Sequence, residues 1–143
     1  MEKQAIPEDA SEHAEALTRV LTRIPEMWGP SIDCGAGWYP LIVALDLQLA
    51  EIAPEYELYQ VKEKCGGLRY YFAAPDDDRA VGAAMKALVR EAEELAWRTC
   101  ELCGAPGQIS TRSGWNKTLC ASCAQQNGYS TRSASGGDTS ADR

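Results

Sequence analysis

Two cysteine pairs, Cys100-x2-Cys103 and Cys120-x2-Cys123, separated by 16 residues, constrain this chain more than any other feature. Each pair sits on a tight turn, and two pairs at this spacing supply the four ligands of a zinc ribbon or knuckle. Gly104 directly follows the first pair. Four thiolates close a coordination shell and leave no position open for substrate, so the expected cofactor is one structural zinc ion. The surrounding segment is poor in apolar residues, and metal binding is expected to supply its folding energy. Trp115, between the pairs, is expected to pack over the ribbon, with ligand binding as the alternative.

The remaining cysteines, Cys34 and Cys65, are isolated, and each adjoins a glycine. They read as small buried apolar residues; the competing reading is a thiol activated by nearby Lys64. The start, "MEKQAIPEDASEH", is acidic and polar and unlike a secretion signal, and no run of 18 apolar residues occurs. These features predict a protein of a reducing cytoplasm, without a membrane span, whose six cysteines stay reduced. A net charge of -7 and a pI near 4.7 argue against general nucleic-acid binding. Any anion site must be local.

Apolar periodicity organises residues 1–99 into a helical and hairpin core. A first helix over 9–27 carries the stripe Ala14, Leu17, Leu21, Ile24 and Trp28, and ends at Pro25 and Gly29-Pro30. Pro40 suits the first turn of a second helix, which presents Leu41, Ile42, Leu45, Leu49 and Ile52 and stops near Pro54. "PDDD" at 75–78 caps a third helix with Val81, Met85, Leu88, Ala92 and Leu95 on one face. The expected fold is α+β: three helices on a β-hairpin, then a zinc ribbon over 100–124. Residues 125–143 have almost no apolar content and are expected to form a disordered tail.

The hairpin, 57–73, is expected to turn at Gly66-Gly67. This register opposes Lys64 to Arg69, Glu63 to Tyr70 and Lys62 to Tyr71. The core face then holds Tyr59, Val61, Cys65, Leu68, Tyr70 and Phe72, together with Glu63, which requires a basic partner or Tyr70. The other face holds Gln60, Lys62, Lys64, Arg69 and Tyr71. Three crowded cations in an acidic protein need relief. Either Asp33 and the Asp76–Asp78 run neutralise them, or they bind phosphate, with Tyr71, Tyr59 or Trp38 stacking on a base. The lone histidine, His13, is expected on a polar, exposed helix face, and no catalytic triad or open metal site can be assembled from these residues.

The runs "CGAGWYPLIVALDLQL", "YQVKEKCGGLRYYF", "CELCGAPG" and "WNKTLCASC" resemble a family of small proteins encoded by bacteriophages and prophages. Its shared features are a Gly-Trp opening to a helix, a Q-x-KEK-x-G-x-LR-x-Y hairpin and a terminal zinc ribbon. The resemblance covers about residues 34–124. It implies a phage origin but no reaction. Its motif residues fall on Gly37, Trp38, Gln60, Lys62, Glu63, Lys64, Gly67, Leu68, Arg69 and Tyr71. Cys65 departs from it, standing where an aromatic residue is expected.

A non-enzymatic binding protein is therefore expected. Its ligand would be a nucleotide or other phosphorylated small molecule, such as a host immune signal, held by Trp38, Gln60, Lys62, Lys64, Arg69 and Tyr71. The alternatives are an inhibitor that docks on a host defence or transcription complex, and a nucleic-acid-binding accessory protein.

Overall fold

A computed structural model describes residues 7–131 and shows a mixed α+β fold. Helix α1 spans Ala14–Leu21 and buries Leu17, Val20 and Leu21. It is shorter than the stripe suggested. Pro25 adopts an extended ψ of 144°, and Glu26–Trp28 form a separate 3-10 turn that carries Trp28 out of the core. His13 lies in the preceding 3-10 turn, half-buried, with its ring edge-on to Tyr39. Strand β1, Ile32–Asp33, has no sequence signal because two residues display no period. Helix α2, Tyr39–Ile52, begins with a proline in its first turn and buries Ile42, Leu45 and Leu49.

Strands β2 (Leu58–Lys64) and β3 (Gly67–Phe72) form the hairpin, and β1 pairs parallel to β2. Helix α3, Arg79–Ala96, is capped by Asp78, whose side chain accepts the Val81 amide at 3.1 Å. It packs against α2 and β3, and Glu93 accepts the Tyr70 N–H at the free edge of β3. One core joins these elements, with Leu17, Ile42, Leu45, Leu49, Leu58 and Met85 at most 1% exposed.

The second sheet follows the first cysteine pair. Strands β4 (Gln108–Arg112) and β5 (Trp115–Leu119) form its hairpin, helix α4 spans Ala121–Gln126, and β6 (Ser130–Thr131) pairs with β4. The expected tail is therefore corrected for residues 125–131. Tyr129 packs on the small cluster of Cys100, Leu119 and Ala124, and Arg112 lies 4.7 Å from its ring centre and donates to the Asn127 carbonyl. One aromatic residue and one extra strand anchor this polar segment. The rest of the expected tail, 132–143, lies outside the described residues.

The turn that precedes α2 meets the segment that enters the first cysteine pair. The Gly37 amide donates to the Glu101 carbonyl at 2.7 Å, and Trp38 Nε1 donates to the Thr99 carbonyl at 2.8 Å. A Cβ at Gly37 would stand 2.1 Å from the Cys100 carbonyl oxygen, so only glycine permits this approach. No described helix is long and apolar enough to cross a membrane.

Candidate metal centre and cation-aromatic face

Cys100 and Cys103 flank a sharp loop in which the Gly104 amide donates to the Cys100 carbonyl at 2.9 Å, with Gly104 at φ +86°. Cys120 caps α4, and Cys123 lies in that helix's first turn. The four sulfurs lie within 4.8 Å of one another, and Cys103 Sγ to Cys120 Sγ is 3.6 Å. Sulfurs at tetrahedral angles around an ion about 2.3 Å away stand about 3.8 Å apart. A disulfide requires about 2.05 Å. The spacing therefore fits four ligands of one ion. The Cys123 amide donates to Cys120 Sγ at 3.4 Å and holds that thiol down to about 7, a bias towards the thiolate a metal needs. Trp115, expected to cover the ribbon, is instead 71% exposed.

Glu101, between the first two cysteines, is 3% exposed. It accepts the Gly35 amide at 2.9 Å and Lys117 Nζ at 2.9 Å. Burial pushes the Lys117 ammonium down, but the facing Glu101 carboxylate outweighs it and the net shift is upward. The Cys34 thiol, which packs against the main core, is held well above its ordinary value by burial and then by Glu101. That supports the reading of Cys34 as a small core residue over the competing one of an activated thiol.

The hairpin turns one residue earlier than expected. Cys65 (φ +55°) and Gly66 (φ +93°) occupy the turn, so Lys62 faces Arg69, Lys64 faces Gly67 and Glu63 faces Leu68. Moving a two-residue turn by one position changes each partner by two, so Val61, Glu63, Leu68 and Tyr70 keep one face and Lys62, Lys64 and Arg69 the other. Cys65 leaves the core face for the turn, and a bulge between Leu58 and Gln60 puts Leu58, not Tyr59, opposite Phe72. Gly67 is needed in the strand because a Cβ there would stand 2.5 Å from the Trp97 ring. Cys65 is accordingly an exposed turn residue and not a buried apolar one. Glu63 finds its partners in the Gly66 amide at 2.8 Å and Lys117 at 3.9 Å.

Gln60, Lys62, Lys64, Arg69 and Tyr71 share the outer face. Asp33 stands beside Lys62 in register, but its carboxylate accepts from Ser31 Oγ at 2.8 Å. Asp78 is engaged as a helix cap. Among the described residues, no carboxylate lies within 4.0 Å of the charged nitrogens of Lys62, Lys64 or Arg69. At the open end of the hairpin, Trp28, Tyr59, Gln60, Tyr70, Tyr71 and Phe72 line a groove of about 480 Å³. Trp28 is 51% exposed and lies 5.1 Å from Tyr59 between ring centres. Trp38 is wholly buried and is withdrawn from the ligand set. Trp28, assigned to the core by its helical spacing, instead lines the groove.

Sequence reading also missed a polar cluster beneath the hairpin. Asp46, on α2 and 1% exposed, accepts from Arg23 Nε and from Tyr56 OH, each at 2.6 Å. Tyr56 OH also meets Tyr70 OH at 2.6 Å, and Arg23 lies 4.3 Å above the Tyr56 ring. Comparison with protein-family models, with curated proteins and with solved structures found no match to this chain.

Proposed function

We propose that this is a non-enzymatic binding protein whose hairpin face holds a nucleotide or similar phosphorylated small molecule, on a scaffold closed by one structural zinc ion. The observation that carries this reading is the juxtaposition of an aromatic groove with three cations that have no described carboxylate within 4.0 Å. Lys62 and Arg69 lie one same-face step, about 7 Å, from the Gln60–Tyr71 row. In this reading a base stacks in the groove against Trp28 or Tyr71 while its phosphate reaches Arg69 as a fork and the lysines as point charges. The groove volume lies within the range of small-ligand sites. Zinc suits four thiolates in a closed tetrahedral set. In a phage-encoded, cytoplasmic protein the ligand would be a host immune signal, captured without turnover.

Calorimetry and thermal shift against nucleoside mono-, di- and cyclic phosphates, with inorganic phosphate as control, test the reading. Arg69→Ala should weaken binding by about 10- to 100-fold, the effect of losing a charge-assisted hydrogen bond. It should leave the melting temperature of the free protein unchanged or slightly higher, because it removes the Lys62–Arg69 repulsion. No shift across the panel in the metal-loaded parent would refute it. The second reading, docking on a host protein, rests on exposed Met27 and Trp28 beside the same groove. Capture of a stoichiometric partner that Trp28→Ala abolishes would favour it.

A further inference from the structure

We infer that the four-cysteine centre sets the order of the hairpin turn, and through it the spacing of the cation strip, by way of three positioning residues: Glu101, Lys117 and Glu63. Glu101 stands inside the metal knuckle, and a buried carboxylate there must be paired. It is paired with Lys117 on β5, at 2.9 Å. Lys117 lies 3.9 Å from Glu63 on β2, and Glu63 accepts the Gly66 amide at the turn. Charges of alternating sign thus run from the knuckle to the hairpin tip. Thr118 adds a second strut. Its carbonyl accepts the Glu101 amide at 2.9 Å, and its Oγ1 donates to the Gly66 carbonyl at 2.8 Å.

The far end of this line is a strained element. Cys65 holds a left-handed conformation that a Cβ makes costly, so the turn depends on what grips it. The grip comes from the ribbon: Gly66 seats against Ile109 so closely that a Cβ would stand 2.7 Å from its Cδ1. Among the described residues the ribbon's fully buried apolar core is Cys100, Leu119 and Ala124, with Tyr129 packed against it, so its order depends on the metal. Without metal, Lys117 and Thr118 are released, Glu63 loses its cation and the turn relaxes. Lys62, Lys64 and Arg69 stand on the two strands that this turn joins. The inference concerns metal and hairpin order and holds whatever the face binds.

Amide hydrogen exchange on the full chain tests it, with zinc bound and after removal by excess chelator. Metal removal should speed exchange over residues 63–69 by about tenfold or more, the scale of one lost charge-assisted hydrogen bond. Residues 42–50 of α2 should keep their protection. Lys117→Met loaded with zinc should retain one equivalent yet show the faster exchange at 63–69, and Lys117→Arg should restore it. Should Lys117→Met fail to fold, Glu63→Gln decides, since it keeps an acceptor for Gly66 but drops the charge facing Lys117. Unchanged exchange at 63–69 after metal removal, or in the metal-loaded variant that folds, overturns the inference. So does loss of α2 protection in step with the hairpin, which would mean global unfolding.

Discussion

Replacing Asp46 by alanine should be among the most damaging single changes in the main core. The carboxylate is 1% exposed and makes two short bonds, to Arg23 and Tyr56. Each charge-assisted bond contributes about 1.5–3 kcal/mol. The third neighbour, Arg19, is 3.7 Å away and about half exposed, and adds little. Removing Asp46 also leaves the Arg23 guanidinium, 11% exposed, without its counter-charge. Together these give about 3–5 kcal/mol, the range for breaking a buried pair. That is a large part of the roughly 5–15 kcal/mol available to a domain. Urea unfolding of the zinc-saturated protein, followed by circular dichroism, measures it. The double variant Asp46→Leu with Arg23→Met should cost clearly less than the two single changes summed, because it removes both charges together. A loss below about 1 kcal/mol for Asp46→Ala, or strict additivity in the cycle, would refute the assignment of a buried ion pair.

Ellman's reagent should react quickly with one thiol of the zinc-loaded protein, exposed Cys65, and slowly with Cys34; chelation should release four more. Burial holds the phenols of Tyr56 and Tyr70 well above their ordinary value near 10, so they remain neutral in the folded state. Their contribution to stability is fully present below pH 10 and lost as pH rises beyond it, because the unfolded chain ionises first. Tyrosinate absorbance should therefore rise in step with alkaline unfolding for these two rings. Gly37→Ala should push the first knuckle off its seat and lower zinc affinity in competition with a chelator by about tenfold or more, the overpacking cost of 1–3 kcal/mol read at the metal. An affinity equal to the parent's would show that the Gly37 loop does not support the knuckle.

What was legible in the sequence was whatever is local. The cysteine pairs declare themselves by spacing along a few residues, and the helix stripes and the Asp78 cap by one or two turns. The hairpin was legible in place and in its faces but not in register. Gly-Gly is the best local turn, yet Gly67 is required against Trp97 and Gly66 against Ile109, so Cys65 is driven into the turn by distant neighbours. The same limit hid Asp46. It sits in an apolar helical run, and its partners Arg23 and Tyr56 come from other elements. Trp38 was legible as a motif residue but misassigned, because its burial and its hydrogen bond to Thr99 convert an indole that looks like a stacking platform into a fixed contact between the turn before α2 and the segment leading into the cysteine pair. Trp28 was misassigned in the opposite direction, since Pro25 ends the helical geometry on which its stripe depends.

The distance along the chain between Trp38 and its partner has a consequence for synthesis. Trp38 waits for the Thr99 carbonyl, 61 residues later, and Gly35 for Glu101, 66 residues later. At translation rates of about 5–20 residues per second, that wait lasts about 3–12 s. Throughout it, the Trp38 indole and the Gly35 amide leave the ribosome without their partners, although α1, the hairpin and α3 can already cover α2. A nascent chain stalled before Cys100 should therefore be held by chaperones, whereas one that has passed Cys123 can close by capturing a metal ion.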